Sequence, residues 1–165
     1  MKIKEENIVF AKRKSVKQIE EGSLFCPKFN LEGLLPCITI EAETNQVLMF
    51  SFLNEAALKK TILTKKAHYY SRSRRKVWLK GEISGMSHDI DDIFVDDDQD
   101  SIIYIVKLNK PFKGGKEASC HVGYKSCFYR KVLFKDKQLS LIYTEDSKVF
   151  NPEIVYKGIK NPTKI

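Results

Sequence analysis

Apolar and polar positions along this chain group into short runs with strand-like spacing, interrupted once by a helical pattern. Leu34–Glu41 and Gln46–Leu53 are apolar segments of strand length, separated by Ala42-Glu43-Thr44-Asn45, a sequence suited to a hairpin turn. Asn54 then stands as an N-cap for a helix over Glu55–Lys65, with Glu55 in the first turn and lysines at its end. Ala57, Leu58, Ile62 and Leu63 form its one apolar stripe. Strand patterning resumes at His68–Ser71 and Val77–Lys80, on either side of the basic turn Arg72-Ser73-Arg74-Arg75-Lys76, and again at Ile90–Val95. Ile102–Leu108 is apolar enough throughout to be a central strand. Lys110–Lys116 carries the proline and glycines of a loop, and Cys127–Phe134 with Gln138–Tyr143 reads as a last hairpin. The pattern predicts a single α+β domain, mainly antiparallel, with one principal helix. Residues 1–22 read as an N-terminal extension, 23–157 as the domain and 158–165 as a tail, with irregular structure expected from Asn151 onward.

Composition changes this picture little. The 165 residues are 42% hydrophobic and 30% charged, an ordinary globular balance with enough apolar mass for a core. No apolar stretch approaches the ~20 residues that span a bilayer. The mixed-charge start Met1-Lys2-Ile3-Lys4-Glu5-Glu6 does not read as a secretory signal, so a cytoplasmic location without membrane contact is expected. No second domain is expected after residue 150. Four cysteines in such a chain do not form a disulfide framework, and Cys26 and Cys37, in apolar surroundings, read as small buried hydrophobes. Charge matters more. Residues 89–100 hold seven aspartates and no Lys or Arg, so a chain of net charge +8 carries +15 on its remainder. An acidic pocket in a basic protein suits a cation beside an anionic ligand; a solvated acidic hairpin is the plainer alternative.

Three constellations could carry chemistry. Asp96, Asp98 and Asp100 alternate, so an extended segment would put them on one face, where a hard ion such as Mg²⁺ would offset their repulsion. Cys120 and Cys127 supply two thiolates, half of a tetrahedral zinc site; further ligands must come from elsewhere in the chain or from a partner subunit, unless the cysteines are simply structural. His121, beside Cys120, has an unperturbed pKa of ~6.5 and could move protons near neutrality. The segment Arg72–Lys80, with Ser73 and Trp78, suits phosphate oxygens and a stacked base, or equally RNA.

Jointly, several ordered motifs resemble the phosphoribosyl-AMP cyclohydrolases of histidine biosynthesis. They are Gly33-Leu34-Leu35-Pro36, Gln46-Val47-Leu48-Met49, Asn54–Leu58, Ala67-His68-Tyr69-Tyr70-Ser71-Arg72-Ser73-Arg74, Val77–Gly85 and, above all, Cys120-His121-Val122-Gly123-Tyr124-Lys125-Ser126-Cys127-Phe128-Tyr129-Arg130. The resemblance implies a homodimer with shared active sites that opens the adenine ring of phosphoribosyl-AMP by attack on a ring carbon and cleavage of the ring bond. It implies zinc on Cys120 and Cys127 plus a partner's ligand, and magnesium on Asp96, Asp98 and Asp100. Arg72, Ser73, Arg74, Lys80, Glu82 and Arg130 would lie near the purine nucleotide, with His121 and His88 as catalytic candidates.

The chain also departs from that family. The family's aspartate run has a cysteine, its third zinc ligand, where this chain has Asp97; the histidine after the Ser-Gly pair is here Met86, with His88 two places on. A site of two thiolates and one carboxylate is harder, leaning toward Mn²⁺ or Fe²⁺ in place of Zn²⁺. Two alternatives follow: a diverged hydrolase acting on another purine nucleotide, or a non-catalytic nucleotide- or RNA-binding module on the same fold. Retention of both cysteines, His121 and the three aspartates weighs against the second, so nucleic acid is not expected as a partner.

Overall fold

The computed structural model describes residues 7–161. The outermost parts of the expected extension and tail, residues 1–6 and 162–165, lie outside the described residues. In chain order the elements are α1 (Val16–Glu20), β1 (Leu35–Glu41), β2 (Val47–Leu53), α2 (Glu55–Thr64), β3 (His68–Ser71), β4 (Lys76–Leu79), β5 (His88–Val95), β6 (Ile102–Leu108), β7 (Arg130–Lys135), β8 (Gln138–Tyr143) and α3 (Pro152–Val155).

Six strands form one sheet in the order β4-β3-β2-β1-β6-β5, and β7 with β8 makes a separate two-stranded ribbon. The expected antiparallel character holds at every pairing but one: β1 and β6 run parallel, Cys37 opposite Ile102 and Glu41 opposite Val106. The sheet curls until its β5 edge meets the segment before β3. Ala67 N donates to His88 O at 2.9 Å, Ile90 N to Lys65 O at 2.8 Å, and Lys66 bridges Asp89.

Strand alternation decides which side chains enter the interior. Leu35, Cys37, Thr39 and Glu41 of β1 are buried, as are Ile102, Tyr104 and Val106 of β6, and Ala57 and Leu58 of α2 cover them. The intervening residues leave an apolar outer face, with Ile38 39%, Phe50 50% and Phe94 56% exposed. Within the interior, Thr39 Oγ1 lies 2.8 Å from the Tyr69 hydroxyl, which lies 3.2 Å from Nδ1 of the fully buried His88.

Three local expectations are corrected. The segment after Val95 is not extended: Asp96 Oδ1 accepts from the amides of Asp100 and Ser101 at 2.9 and 3.0 Å, and Gln99 takes φ +59°, so the aspartates form a turn. The last hairpin starts at Arg130 because the Cys127 amide is committed to Leu48 O at 2.7 Å. The segment from Asn151 is not wholly irregular. Asn151 caps the single turn α3, which buries Val155 against Met86, Ala118 and Phe150.

The helix reading was close: Asn54 Oδ1 accepts from Ala57 N at 2.9 Å, and Lys65, in the left-handed region at φ +56°, ends α2. Asn54→Ala removes that cap. We expect a loss of about 1 kcal/mol and a melting temperature lower by about 2–4 °C, read by thermal and urea denaturation.

Candidate functional site

The candidate residues gather at two places on the sheet. At the first, the loop 118–128 is fastened onto the start of β2. The Ser126 hydroxyl donates to Val47 O at 2.7 Å and the Cys127 amide to Leu48 O, while Ser119 N donates to Lys125 O at 2.8 Å. One carboxylate, Glu145, accepts from the amides of Lys125 and Ser126 at 2.7 and 2.9 Å, and Lys125 Nζ reaches the buried Glu41 at 2.7 Å. These bonds bring the thiols of Cys120 and Cys127 into hydrogen-bonding contact.

Lys80 lies buried behind the loop, its ammonium donating to Ser119 O at 2.8 Å. Burial lowers its pKa to about 8, against the pull of the two cysteines. The Cys127 thiol hydrogen-bonds Cys120 and, with Lys80 adding its charge, brings Cys120 down to about 7 in spite of burial; Cys127 is pushed up by the same bond and by burial. The pair therefore holds one readily formed thiolate, the form that binds a soft metal. His121, half-buried, is held below the usual histidine range chiefly by burial and also by Lys80, so it is neutral at pH 7. His88 is held neutral more strongly, by burial and then by Lys80, and its buried Nε2 has no hydrogen-bond partner.

The basic turn projects from β3 along β2. With Phe52 opposite Tyr70, residues 72–75 run toward Phe50 and Leu48, the end of β2 that holds the cysteine loop. A cleft of about 240 Å³ there is lined by Phe50, Phe52, Ser71, Arg72, Arg74 and Trp78. Arg72 stacks 4.2 Å over the Phe52 ring, and Arg74 Nε donates to Ser71 Oγ at 3.1 Å. Ser73 is exposed in that turn, Glu82 is exposed beyond the opposite end of β4, and Arg130 lies 5.0 Å over the Tyr129 ring. A larger open hollow, about 600 Å³ beside Glu32, Asn54 and Lys59, contains none of the candidate residues. Met86 contributes only to the apolar core.

The second place is the acidic turn. Burial opposes ionisation of Asp96, but bonds from the Ser101 hydroxyl, the Ser101 amide and the Asp100 amide outweigh it and hold the carboxyl below the usual range. Ligand atoms of Asp96, Asp97 and Asp98 lie within 4.8 Å of one another, a convergence that suits a hard cation; Asp100, expected in that set, instead joins Asp98 in binding Lys28. Among the described residues this is the one group of three or more His, Cys, Asp or Glu that converges so. No His88, His121 or Asp97 atom completes a three-ligand set around the cysteines within one chain. The turn follows Val95, at the opposite end of β5 from His88, seven strand steps or about 23 Å away.

Comparison with known proteins gives the family. A family model for phosphoribosyl-AMP cyclohydrolase matches residues 49–129. Curated phosphoribosyl-AMP cyclohydrolases are similar over most of their length: that of Bradyrhizobium diazoefficiens is 40% identical over 85% of this chain and 95% of its own, and that of Chlorobium limicola 45% identical over 85% and 94%. A third, from Rhizobium rhizogenes, is 40% identical over 92% of this chain and 99% of its own. The chain belongs to the phosphoribosyl-AMP cyclohydrolase family.

In this cyclohydrolase the sequence pattern pointed to the cysteines, the aspartates and the basic turn. It gave no warning of Glu145, which holds the cysteine loop, nor of Lys28. Gln99 had one faint signal, as the single uncharged side chain between Asp96 and Asp100. In metal-stripped protein, alkylation of Cys120 by iodoacetamide is expected to rise with a midpoint near pH 7. Lys80→Met, which removes the facing charge, should move that midpoint upward, as read by mass spectrometry of the Cys120 peptide.

Proposed function

We propose that this chain hydrolyses phosphoribosyl-AMP, opening its adenine ring in histidine biosynthesis, as a homodimer whose active sites each draw on both copies. The match to cyclohydrolases across 85% or more of the chain carries the reaction. The separation of the acidic turn from the cysteine pair by the length of β5 supports the sharing. So does the exposed apolar face around Ile38, Phe50 and Phe94, a surface a second copy can cover.

Cys120 and Cys127 would hold one ion with Asp97 of the partner subunit, and Asp96 and Asp98 would hold Mg²⁺, joined by Asp100 once its contact with Lys28 opens. The ion on the cysteines, Zn²⁺ or the harder Mn²⁺ or Fe²⁺, would acidify a bound water and so make a nucleophile available near neutral pH. Lys80 has a different part from direct contact with substrate: its buried charge holds thiolate negative charge at the loop. Arg72, Ser73 and Arg74 hold the nucleotide's phosphate, with Glu82, beyond the opposite end of β4, and Arg130 as contacts for the rest of the nucleotide. His121, neutral at pH 7, accepts the proton of the attacking water and returns one to the ring nitrogen as the carbon–nitrogen bond breaks. His88, bonded to Tyr69 and held neutral more strongly than His121, adds no positive charge beside Lys80.

Two measurements test this reading. Metal-stripped protein re-supplied with Mg²⁺ plus Zn²⁺, Mn²⁺ or Fe²⁺ is expected to turn over phosphoribosyl-AMP, followed in the ultraviolet; silence with every metal would overturn the activity. Asp97→Ala chains mixed with Cys127→Ala chains should regain activity through heterodimers carrying one intact site. No regain, with subunit exchange demonstrated, would overturn the shared site.

A further inference from the structure

The segment before β1 is bound to the acidic turn by its backbone as well as by charge. Gln99, buried and in the left-handed region, is the pivot. Its Oε1 accepts from Cys26 N at 2.7 Å, its Nε2 donates to Ile19 O and Leu24 O at 3.0 and 3.3 Å, and its carbonyl accepts from Lys28 N at 2.7 Å. The Arg13 guanidinium spans both partners, donating to Cys26 O at 2.8 Å and to Asp98 O at 2.9 Å. Phe10 packs on Phe25 and Phe29, anchoring the arm from its other side.

This register sets Lys28 beside the carboxylates of the turn. Its ammonium lies 3.0 Å from Asp98 Oδ2 and 3.2 Å from Asp100 Oδ2, bridging two carboxylates of the turn. A divalent ion that takes oxygens from these aspartates shares their negative charge with that ammonium and is repelled by it at close range. The contact is half-exposed, so the displaced side chain can move into water at little cost.

We propose that Lys28 is a built-in counter-cation: the arm delivers it to the acidic turn, where it holds the carboxylates together without metal and competes with the divalent ion for Asp98 and Asp100. Lys28 thereby sets the threshold of Mg²⁺ at which the turn loads. This rests on the reading of the turn as a divalent-cation site.

The test is direct binding, measured apart from turnover. Mg²⁺ is titrated calorimetrically, and Mn²⁺ by loss of its free electron-spin signal, into full-length wild-type protein, Lys28→Met, Lys28→Arg and Asp98→Asn. Lys28→Met should bind either ion roughly five-fold more tightly, the size expected for removing two half-exposed ion pairs. Lys28→Arg should stay near wild type, and Asp98→Asn should weaken binding. Equal or weaker binding by Lys28→Met, with Asp98→Asn weakened, would overturn the competition and leave the cation site standing. No binding in wild type or in Lys28→Met would overturn both.

Discussion

The parallel pairing of β1 with β6 is the constraint from which the rest of the arrangement follows. Because the two strands run the same way, the turn that enters β6 must lie beside the start of β1, and the segment that leaves β6 must emerge beside its end. The first condition brings the acidic turn against the residues that lead into β1, which is why the arm and the aspartates meet. The second sends the cysteine loop to the far end, over Leu48 and the start of β2. Two groups of candidate metal ligands on one chain are thus held apart by the strand between them.

Each group is then tuned by what the fold buries near it. At the cysteine end a lysine without water around it, bonded to a carbonyl, has its charge answered by thiolate. At the acidic end charge is managed near solvent, by amides on Asp96 and an ammonium on Asp98 and Asp100. The first arrangement favours a soft, strongly held ion and the second a hard, exchangeable one.

How much of this could be read from the chain alone depended on whether a feature was local. Strands and the α2 helix were legible because alternation and a capping asparagine act within a few residues. The Cys-x6-Cys pair and the basic turn were legible because their chemistry lies in residue type and spacing. The aspartates were recognised as a group but given the wrong shape. Alternation cannot reveal that Asp96 will turn back on its own backbone, or that Gln99 will leave the extended region. The parallel pair, the grip of the arm and the hold of Glu145 join residues far apart in sequence, and no local pattern marks such partners. The short helix α3 falls where irregular structure was expected, and its Pro152 suits the first turn of a helix.

The fastening of the cysteine loop bears on the order in which the molecule is made. All six strands of the main sheet have been synthesised by Leu108, whereas the groups that close the loop come later: Glu145 on the amides of Lys125 and Ser126, and Val149, whose amide donates to Gly123 O at 2.8 Å. Chains emerge from the ribosome N-terminus first. A nascent chain therefore owns its scaffold, its arm and its acidic turn before its two thiols have a fixed separation. The final geometry of the thiol pair is, by the direction of translation, one of the last features the folding chain acquires.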